Sequence, residues 1–303
     1  MGSIGLPRLA KLVFDDWDEA PPAMAFEKPW DAILADTARL ASGLGERAEE
    51  AIAGPGAMPA EYWRDSIELF VRIPAIINVV LNWKICVEQG LPLHPTLYFE
   101  VNELTRNALE HPVELRKRAH AAYLESIAVA RCLMRLDAEA PERIASLSGM
   151  VDPEILGHVF TSRPDKYTWR GSDPAKILKL AARIVGSGAG PEHPTLVLGA
   201  AHGSILSALV LAETLGCDLY FLRFSMFKRN DSSPVISEAD VGELARWKSE
   251  PVILFDEDVA KGTTLTIFNE KVSPLFRRAR TAAVIRHGLA SFRPDFIGFD
   301  WYD

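Results

Sequence analysis

The feature that most constrains the fold is an alternation of short apolar runs with helical patterns in the last third of the chain. Apolar runs at residues 195–199, 219–224, 252–255, 281–286 and 296–299 are separated by helical patterns at 204–215, 238–247 and 263–275. Strands that are apolar throughout are typical of parallel sheets whose two faces are both covered by helices. The sequence therefore predicts an α/β domain with a parallel sheet, in which ligands bind beyond the carboxyl ends of the strands.

The first 186 residues predict a separate, all-helical domain. Helical patterns cover residues 27–53, 59–88, 112–138, 141–147 and 153–160. A loop-forming stretch rich in glycine and proline follows at 186–194. A length of 303 residues also suits two domains. We therefore expect a helical domain at 1–186, serving as a cap or a partner-binding domain, and an α/β domain at 187–303.

Composition narrows the cellular setting and the partners. A formal charge of −8 argues against a protein that coats nucleic acid, which usually has a basic balance. Three widely spaced cysteines form no zinc-binding pattern and indicate reduced thiols. The most apolar stretch, residues 70–80, is interrupted by Arg72 and Pro74 and falls short of the ~20 residues that a membrane span needs. The start of the chain is also a poor signal peptide. We expect a cytoplasmic protein with no membrane or nucleic-acid partner.

The segment after the apolar run at 252–255 carries the clearest chemistry. Three carboxylates stand at positions 256–258, and Gly262, Thr263 and Thr264 then open the next helix. The N–H groups at a helix start suit a phosphate, and hydroxyl side chains add further donors. Carboxylates nearby suit Mg²⁺ or sugar hydroxyls. The segment therefore predicts a site for a phosphorylated sugar with a metal ion.

Two other interpretations of this segment stay open at this point. Acidic residues before a helix are favourable N-terminal caps, which accounts for one or two of the three carboxylates. Asp256 and Asp258 after an apolar strand also resemble the first motif of haloacid-dehalogenase-type phosphatases. Ala260 departs from that motif, which has threonine or valine at this place.

The same segment resembles the phosphoribosyl-pyrophosphate (PRPP) loop of type I phosphoribosyltransferases, in which an apolar strand and two acids precede Gly-x-Thr. Three further stretches resemble the family in the expected order. Residues 196–204 resemble the strand and pyrophosphate loop, residues 220–231 the second strand and flexible loop, and residues 293–300 the hood of hypoxanthine-guanine phosphoribosyltransferases. The resemblance covers about residues 190–303. It implies a type I phosphoribosyltransferase-like parallel-sheet domain after the helical one.

The resemblance also implies roles for individual residues of the PRPP-binding loops. The catalytic acids would be Asp256, Glu257 and Asp258. Asp256 and Glu257 would bind the ribose hydroxyls and Mg²⁺, although an alternative alignment pairs Glu257 with Asp258. The 5′-phosphate would be held by Lys261, Gly262, Thr263 and Thr264. The pyrophosphate would be held by Ala201, His202, Gly203, Ser204, Arg223, Lys228 and Arg229.

For the acceptor, the resemblance implies base-binding roles for Phe296, Ile297 and Arg280, and a further Mg²⁺-binding carboxylate at Asp303. Ala260 departs from the purine enzymes, which carry an acid or a hydroxyl there. His202 likewise stands where lysine or arginine is frequent.

The implied activity is Mg²⁺-dependent transfer of ribose 5-phosphate from PRPP to a nitrogen nucleophile, with release of pyrophosphate. The nucleophile would be a nucleobase, a related heterocycle or an amine, and the family suggests a homodimer. One alternative is a non-catalytic module that senses PRPP or a nucleotide. Another is a different phosphosugar reaction on the same fold.

Overall fold

The structure, a computed structural model, describes residues 4–46, 59–91, 109–186, 193–226 and 231–302. The chain forms two compact units. The sheet unit comprises Met1–Pro7, Asp16–Ala20 and Asp165–Asp303, and the helical unit comprises Arg8–Asp15 and Pro21–Pro164. Each unit is described by itself.

The helical unit is built on three longer helices and several short ones. Its helices are α1 Arg8–Leu12, α2 Trp30–Gly45, α3 Ala60–Glu88, α4 Val113–Arg135, α5 Ala140–Met150 and α6 Pro153–Leu156. Pro29, Pro59 and Pro112 directly precede α2, α3 and α4, where a fixed φ and a missing N–H cost little. α3 packs against α2 and α4, and α5 packs against α4 and α2, so α3 and α4 form the centre of this unit.

The helical unit also contains a small antiparallel sheet, which the sequence did not predict. Strand β1, Phe26–Pro29, pairs with strand β2, Val159–Ser162. The predicted helix at 27–53 therefore begins only at Trp30, whose amide donates a 2.8 Å hydrogen bond to the carbonyl of His158. For the same reason the helix predicted at 153–160 ends early and gives way to β2.

Helix α3 is the one helix of the described residues that is long and apolar enough to cross a membrane. Of its most apolar 18-residue window, 89% is buried inside the protein. Two buried cations of α3 are also paired with acids of the same helix. Arg72 lies 3.0 Å from Glu68 Oε2, and the fully buried Lys84 lies 2.7 Å from Glu88 Oε2. Such buried, paired charges fit a helix that forms the core of a protein unit.

The sheet unit contains a five-stranded sheet in which every neighbouring pair is parallel. Its strands are β3 Leu196–Ala201, β4 Asp218–Arg223, β5 Pro251–Val259, β6 Arg278–His287 and β7 Phe296–Trp301, in the order β4-β3-β5-β6-β7. Each predicted apolar run is a strand. The predicted fold class, a parallel-sheet α/β domain together with a helical region earlier in the chain, is confirmed.

The described residues of the sheet unit also form five α-helices, some of which pack on the strands. They are α7 Lys166–Gly171, α8 Pro174–Gly186, α9 Ile205–Leu215, α10 Glu238–Leu244 and α11 Thr263–Val272. α8 packs on β7 and β6, α9 packs on β3, β4 and β5, and α11 packs on β5. Because α9 is buried almost all round, its sequence is apolar on every face.

The division between the units falls earlier in the chain than the predicted boundary at Ser187. The sheet unit already begins at Asp165 and includes both α7 and α8. Gly298 of β7 allows α8 to approach the sheet closely, because a Cβ there would lie 2.9 Å from the carbonyl oxygen of Lys176 on α8. The loop-forming stretch at 186–194 therefore follows a helix of the sheet unit and does not separate the two units.

Candidate functional site

A cleft of about 590 Å³ lies at the carboxyl end of the central strands, and all its lining residues belong to the sheet unit. Parallel sheets place their ligands at this end, where the strands give way to loops. The lining residues come from α7, from the ends of β3, β4 and β5, and from the start of α11. They are Asp165, Tyr167, Thr168, Ala200, Gly203, Phe224, Ser225, Met226 and every residue from 256 to 265.

The three predicted acids all lie on this cleft, at the end of β5. The strand is longer than its apolar run, because pairing with β6 continues through Asp256, Asp258 and Val259. Burial raises the pKa of the Asp256 carboxyl well above its ordinary value, and the negative charges of Glu257 and Asp258 raise it further. The cleft therefore concentrates carboxylates in a poorly solvated place, where a cation would stabilise their charged forms.

Asp258 is held by His287 at the end of β6. The two side chains are 3.1 Å apart, from Asp258 Oδ2 to His287 Nε2. Burial raises the pKa of Asp258 to about 6, while His287 opposes this rise. The other carboxylate oxygen, Oδ1, is buried and has no hydrogen-bond partner among the described residues. Asp258 thus presents one oxygen to the histidine and keeps one for another partner.

Glu257 lies between two glycines that leave it no spare room. A Cβ on Gly203 would lie 2.0 Å from Glu257 Oε1, and a Cβ on Gly171 would lie 2.9 Å from Glu257 Cβ. Thr168 of α7 also donates a 3.4 Å hydrogen bond to Glu257 Oε1. The loop after β3 and the helix α7 therefore both meet at this carboxylate.

The predicted phosphate loop lies on the cleft and is anchored to its surroundings. Gly262 has a φ of +92°, a left-handed conformation that favours glycine, and its carbonyl accepts hydrogen bonds from Thr266. Ser291 donates to the carbonyl of Lys261 at 3.1 Å. The loop thus leads directly into α11, and the four predicted phosphate-binding residues line one cavity with the acids.

The predicted pyrophosphate loop is only partly at the cleft. Gly203 lines it, and the Ala201–His202 peptide bond just before is cis. The hydroxyl of Ser204 is buried and donates a 2.7 Å hydrogen bond to the carbonyl of Ala200. Ala201 and His202 are also buried and are absent from the lining of the cleft. Gly203 is therefore the part of this loop that reaches the cleft.

The cationic residues predicted to bind pyrophosphate are not brought together at the cleft among the described residues. Arg223 is almost fully buried, and its Nη2 lies 2.6 Å from Asp231 Oδ1. This ion pair, together with the 2.9 Å bond from Ser225 N to Asp231, fixes the start of the loop after β4. Lys228 and Arg229 lie outside the described residues. Arg223 therefore holds the loop and does not line the cleft.

None of the three residues predicted to bind a base lines the cleft. Phe296 pairs with Ala282 of β6 and is buried within the sheet, and Ile297 is buried beside it. Arg280 is exposed, and its guanidinium lies 5.8 Å from the centre of the Phe296 ring. All three residues lie several positions before the ends of their strands, whereas the cleft lies beyond the strand ends. Asp303, the predicted additional metal ligand, lies outside the described residues.

The structure adds residues that sequence reasoning missed. Tyr167 and Thr168 line the cleft from α7, and the ring centres of Tyr167 and His287 are 6.0 Å apart. No motif marks these positions, since they become neighbours only when α7 packs on β5 and β6.

Comparisons with known proteins give likeness to solved structures alone. No family model matches the chain, and no curated protein matches it. One similar structure is a purine phosphoribosyltransferase from Pyrococcus horikoshii, with 24% identity, coverage of 45% of this chain and 87% of that one, and a TM-score of 0.34. Another is the Helicobacter pylori xanthine-guanine-hypoxanthine phosphoribosyltransferase, with 17% identity, coverage of 42% and 83%, and a TM-score of 0.30.

A third similar structure is a hypothetical protein from Neisseria gonorrhoeae with bound ppGpp, with 17% identity, coverage of 43% and 80%, and a TM-score of 0.33. The first two proteins carry the name of the family that the sequence resembles. At these identities and scores the likeness concerns fold only, and the arguments below rest on the cleft itself.

Proposed function

We propose that the protein is a Mg²⁺-dependent phosphoribosyltransferase that transfers ribose 5-phosphate from PRPP to a nitrogen nucleophile and releases pyrophosphate. One observation carries the proposal: a single cleft is lined both by the acids at the end of β5 and by the glycine-threonine start of α11. A sugar bearing a phosphate needs both kinds of partner at a short separation, since its hydroxyls and its phosphate are joined by a few bonds.

The start of α11 supports the phosphate end of this ligand. Its first amides have no acceptor within the helix and carry a partial positive charge. Gly262 adopts a left-handed conformation that turns the backbone into α11. Lys261, Thr263 and Thr264 add a cation and two hydroxyls to the lining of the cleft. In the proposed complex these groups bind the 5′-phosphate.

The acids support the ribose end and the metal. Mg²⁺ prefers oxygen ligands and is commonly bound by one or two carboxylates together with substrate phosphates. Asp256 and Glu257 supply such oxygens, and their mutual repulsion in a buried place fits a cation partner. When held by these residues, Mg²⁺ would supply positive charge that stabilises the leaving pyrophosphate. The three acids need not enclose the ion alone, because PRPP would complete its shell.

The chain's own groups then account for the transfer. Asp256 and Glu257 orient the ribose hydroxyls, and their negative charge stabilises the positive charge that develops at C1′ as the bond to pyrophosphate breaks. Backbone around Gly203 faces the departing oxygens. The nitrogen lone pair of the acceptor forms the new bond to C1′, and the acceptor's proton passes to solvent or to a neighbouring base. Exclusion of water by the bound ligands would limit hydrolysis of PRPP.

Calorimetry with PRPP tests this function. The wild type is expected to bind PRPP in the presence of Mg²⁺ and to lose most of its affinity when Mg²⁺ is omitted. The double variant Asp256→Asn/Glu257→Gln should bind at least about tenfold more weakly, a loss of roughly 1.4 kcal/mol. Glu238→Gln, which changes an exposed carboxylate on α10, is the matched control. Absence of binding to the wild type at millimolar PRPP would contradict the proposal.

A sensing role without catalysis is the second candidate, and one observation favours it. Lys261 is the only cationic side chain among the described residues that line the cleft, and Arg223 is engaged by Asp231. Ala260 also supplies no proton-transfer group. Pyrophosphate release from PRPP with a panel of nucleobases separates the two candidates. Tight PRPP binding without any release would favour the sensor, and release with one base would favour the enzyme.

A further inference from the structure

We infer that the acceptor is a flat aromatic ring and that Tyr167 of α7 forms the surface on which it stacks. The inference rests on the proposed function and narrows its acceptor, which the sequence leaves open between ring compounds and amines. It assigns the acceptor side of the cleft to a helix that precedes the sheet, in place of the β7 residues that the sequence suggested.

Tyr167 occupies the appropriate position. It lines the cleft, and 45% of its surface is exposed there. The next residue, Thr168, donates a hydrogen bond to Glu257, one of the acids proposed to bind ribose. A ring attached to C1′ of a ribose held at Glu257 is therefore within reach of the Tyr167 side chain. The ring of Phe296, by contrast, is buried in the sheet.

The helix that carries Tyr167 is firmly held within the sheet unit. The buried Trp169 stacks on Trp17 with ring centres 4.3 Å apart and donates a 3.0 Å hydrogen bond from Nε1 to the carbonyl of Asp16. Arg170 pairs with Asp18 at 3.1 Å and also lies 4.5 Å from the centre of the Trp301 ring. Tyr167 is thus exposed on a helix whose position is fixed by its neighbours.

The surroundings of the tyrosine ring favour a planar ligand over an aliphatic amine. The centre of the His287 ring lies 6.0 Å from the centre of the Tyr167 ring, and the two rings are inclined by 50°. The Nζ of Lys166, an exposed side chain, lies over the tyrosine ring at 5.3 Å from its centre, so a stacked ligand would displace it. An ammonia-like acceptor gains little from an exposed aromatic ring, whereas a heterocycle stacks on it. Stacking of a base on an aromatic residue typically strengthens binding by roughly fivefold to a hundredfold.

This inference can be tested without the true acceptor, by comparing the binding of sugar 5′-phosphates that carry a base with one that carries none. The probes are ribose 5-phosphate and the 5′-monophosphates of guanosine, inosine, uridine and cytidine, each measured by calorimetry with Mg²⁺. In the wild type we expect at least one nucleotide to bind about fivefold or more tightly than ribose 5-phosphate. Tyr167→Ala should abolish that advantage and leave the affinity for ribose 5-phosphate unchanged. Tyr167→Phe should keep the advantage, because the ring is retained.

Tyr302→Ala provides the matched control, since Tyr302 is an exposed tyrosine of the same unit that does not line the cleft. It should leave every affinity unchanged. The inference is overturned if Tyr167→Ala keeps the nucleotide advantage, if Tyr167→Phe loses it, or if no nucleotide exceeds ribose 5-phosphate in the wild type. Those outcomes leave the proposed phosphosugar site intact. Failure of both PRPP and ribose 5-phosphate to bind would instead overturn the proposed function, and the inference with it.

Discussion

At the residue scale, glycines determine how closely the parts of the cleft approach one another. Glu257 fits between Gly171 and Gly203 because neither has a side chain, and Gly262 approaches Phe292 for the same reason. A Cβ on Gly262 would lie 2.6 Å from the Cβ of Phe292. The absence of side chains therefore positions the proposed ribose-binding acid and the proposed phosphate loop.

Gly203→Ala should displace the Glu257 carboxylate, since the new methyl group would lie 2.0 Å from its Oε1. The carboxylate is the end of a flexible side chain, so we expect a small effect on the melting temperature and roughly tenfold weaker PRPP binding. Calorimetry and thermal unfolding measure the two effects. Gly186→Ala, which meets no atom within 4 Å, is the control. Wild-type PRPP affinity in Gly203→Ala would contradict this assignment.

Gly262→Ala should destabilise the protein more than Gly216→Ala. Both glycines have positive φ, +92° and +66°, so alanine is strained at either position by about 1–2 kcal/mol. Only Gly262 also meets backbone and Cβ atoms of Phe292, which adds about 1–3 kcal/mol of overpacking. Urea denaturation of the two variants measures the difference. Equal destabilisation would show that the approach to Phe292 is not restrictive.

The raised pKa of Asp258 predicts a pH-dependent stability. Its ordinary value of 3.8 rises to about 6 in the folded state, chiefly through burial, with His287 and Arg170 opposing the rise and Glu257 adding to it. Between these values the folded state holds a proton that the unfolded state has lost, so the free energy of unfolding falls as pH rises. The fall is about 3 kcal/mol at most.

Urea unfolding of Asp258→Asn, at several pH values from 4 to 7 and without Mg²⁺, checks this expectation. The variant should show a smaller fall than the wild type, because one of the titrating carboxyls is gone. Glu238→Gln should keep the full fall, since Glu238 is exposed. If the free energy of unfolding of Asp258→Asn fell with pH as steeply as that of the wild type, the other carboxyls would account for the pH dependence.

At the element scale, the sequence patterns predicted the strands and loops that depend on interactions between residues close together in the chain. The apolar runs gave all five strands of the sheet, and the acidic loop with Gly262 was placed at the end of a strand and the start of a helix. The features that the sequence did not predict depend on strand register and on contacts between residues far apart in the chain. Phe296 was expected at the cleft, but its register opposite Ala282 buries it, and strand register cannot be read from one segment. Tyr167 and His287 were missed because distant packing brings them together.

Helix α7 is too short to be stable by itself, so its position depends on Trp17 and Trp169. Trp17→Ala should lower the free energy of unfolding of the sheet unit by about 2–4 kcal/mol, through lost burial and lost stacking. Trp17→Phe should cost less, because a ring remains. Thermal unfolding gives the order of stabilities. Equal losses in the two variants would show that stacking on Trp169 contributes nothing.

At the scale of the whole molecule, the sequence predicted two domains but placed their boundary too late. The composition changes at 186–194, and a change of composition marks a loop whether or not it separates domains. The apolar residues Ile177, Leu180 and Ile184 of α8 are buried, and α8 packs on β7 and β6. A helix of the sheet unit was therefore assigned to the helical domain.

Two fragments test the revised boundary. The fragment 165–303 keeps α8 on β7 and β6, although it lacks the Trp17 that packs on α7, whereas 187–303 leaves the apolar surface of β7 and β6 uncovered. We expect the longer fragment to be soluble and to unfold cooperatively, and the shorter one to aggregate or to lack a cooperative transition. Circular dichroism during heating and size-exclusion chromatography measure both properties. A cooperative, monodisperse 187–303 fragment would restore the boundary at Ser187.

The short segment Asp16–Ala20 has a consequence for how the protein is made. It belongs to the sheet unit, yet the helical unit occupies the chain both directly before and directly after it. During synthesis the helical unit is complete once residue 164 has emerged from the ribosome, whereas the partners of Trp17 and Asp18 are made afterwards. The nascent chain thus carries an early segment whose docking site appears only later. Long-range closure of this kind is slow, so the docking of this segment is expected to be a late step of folding.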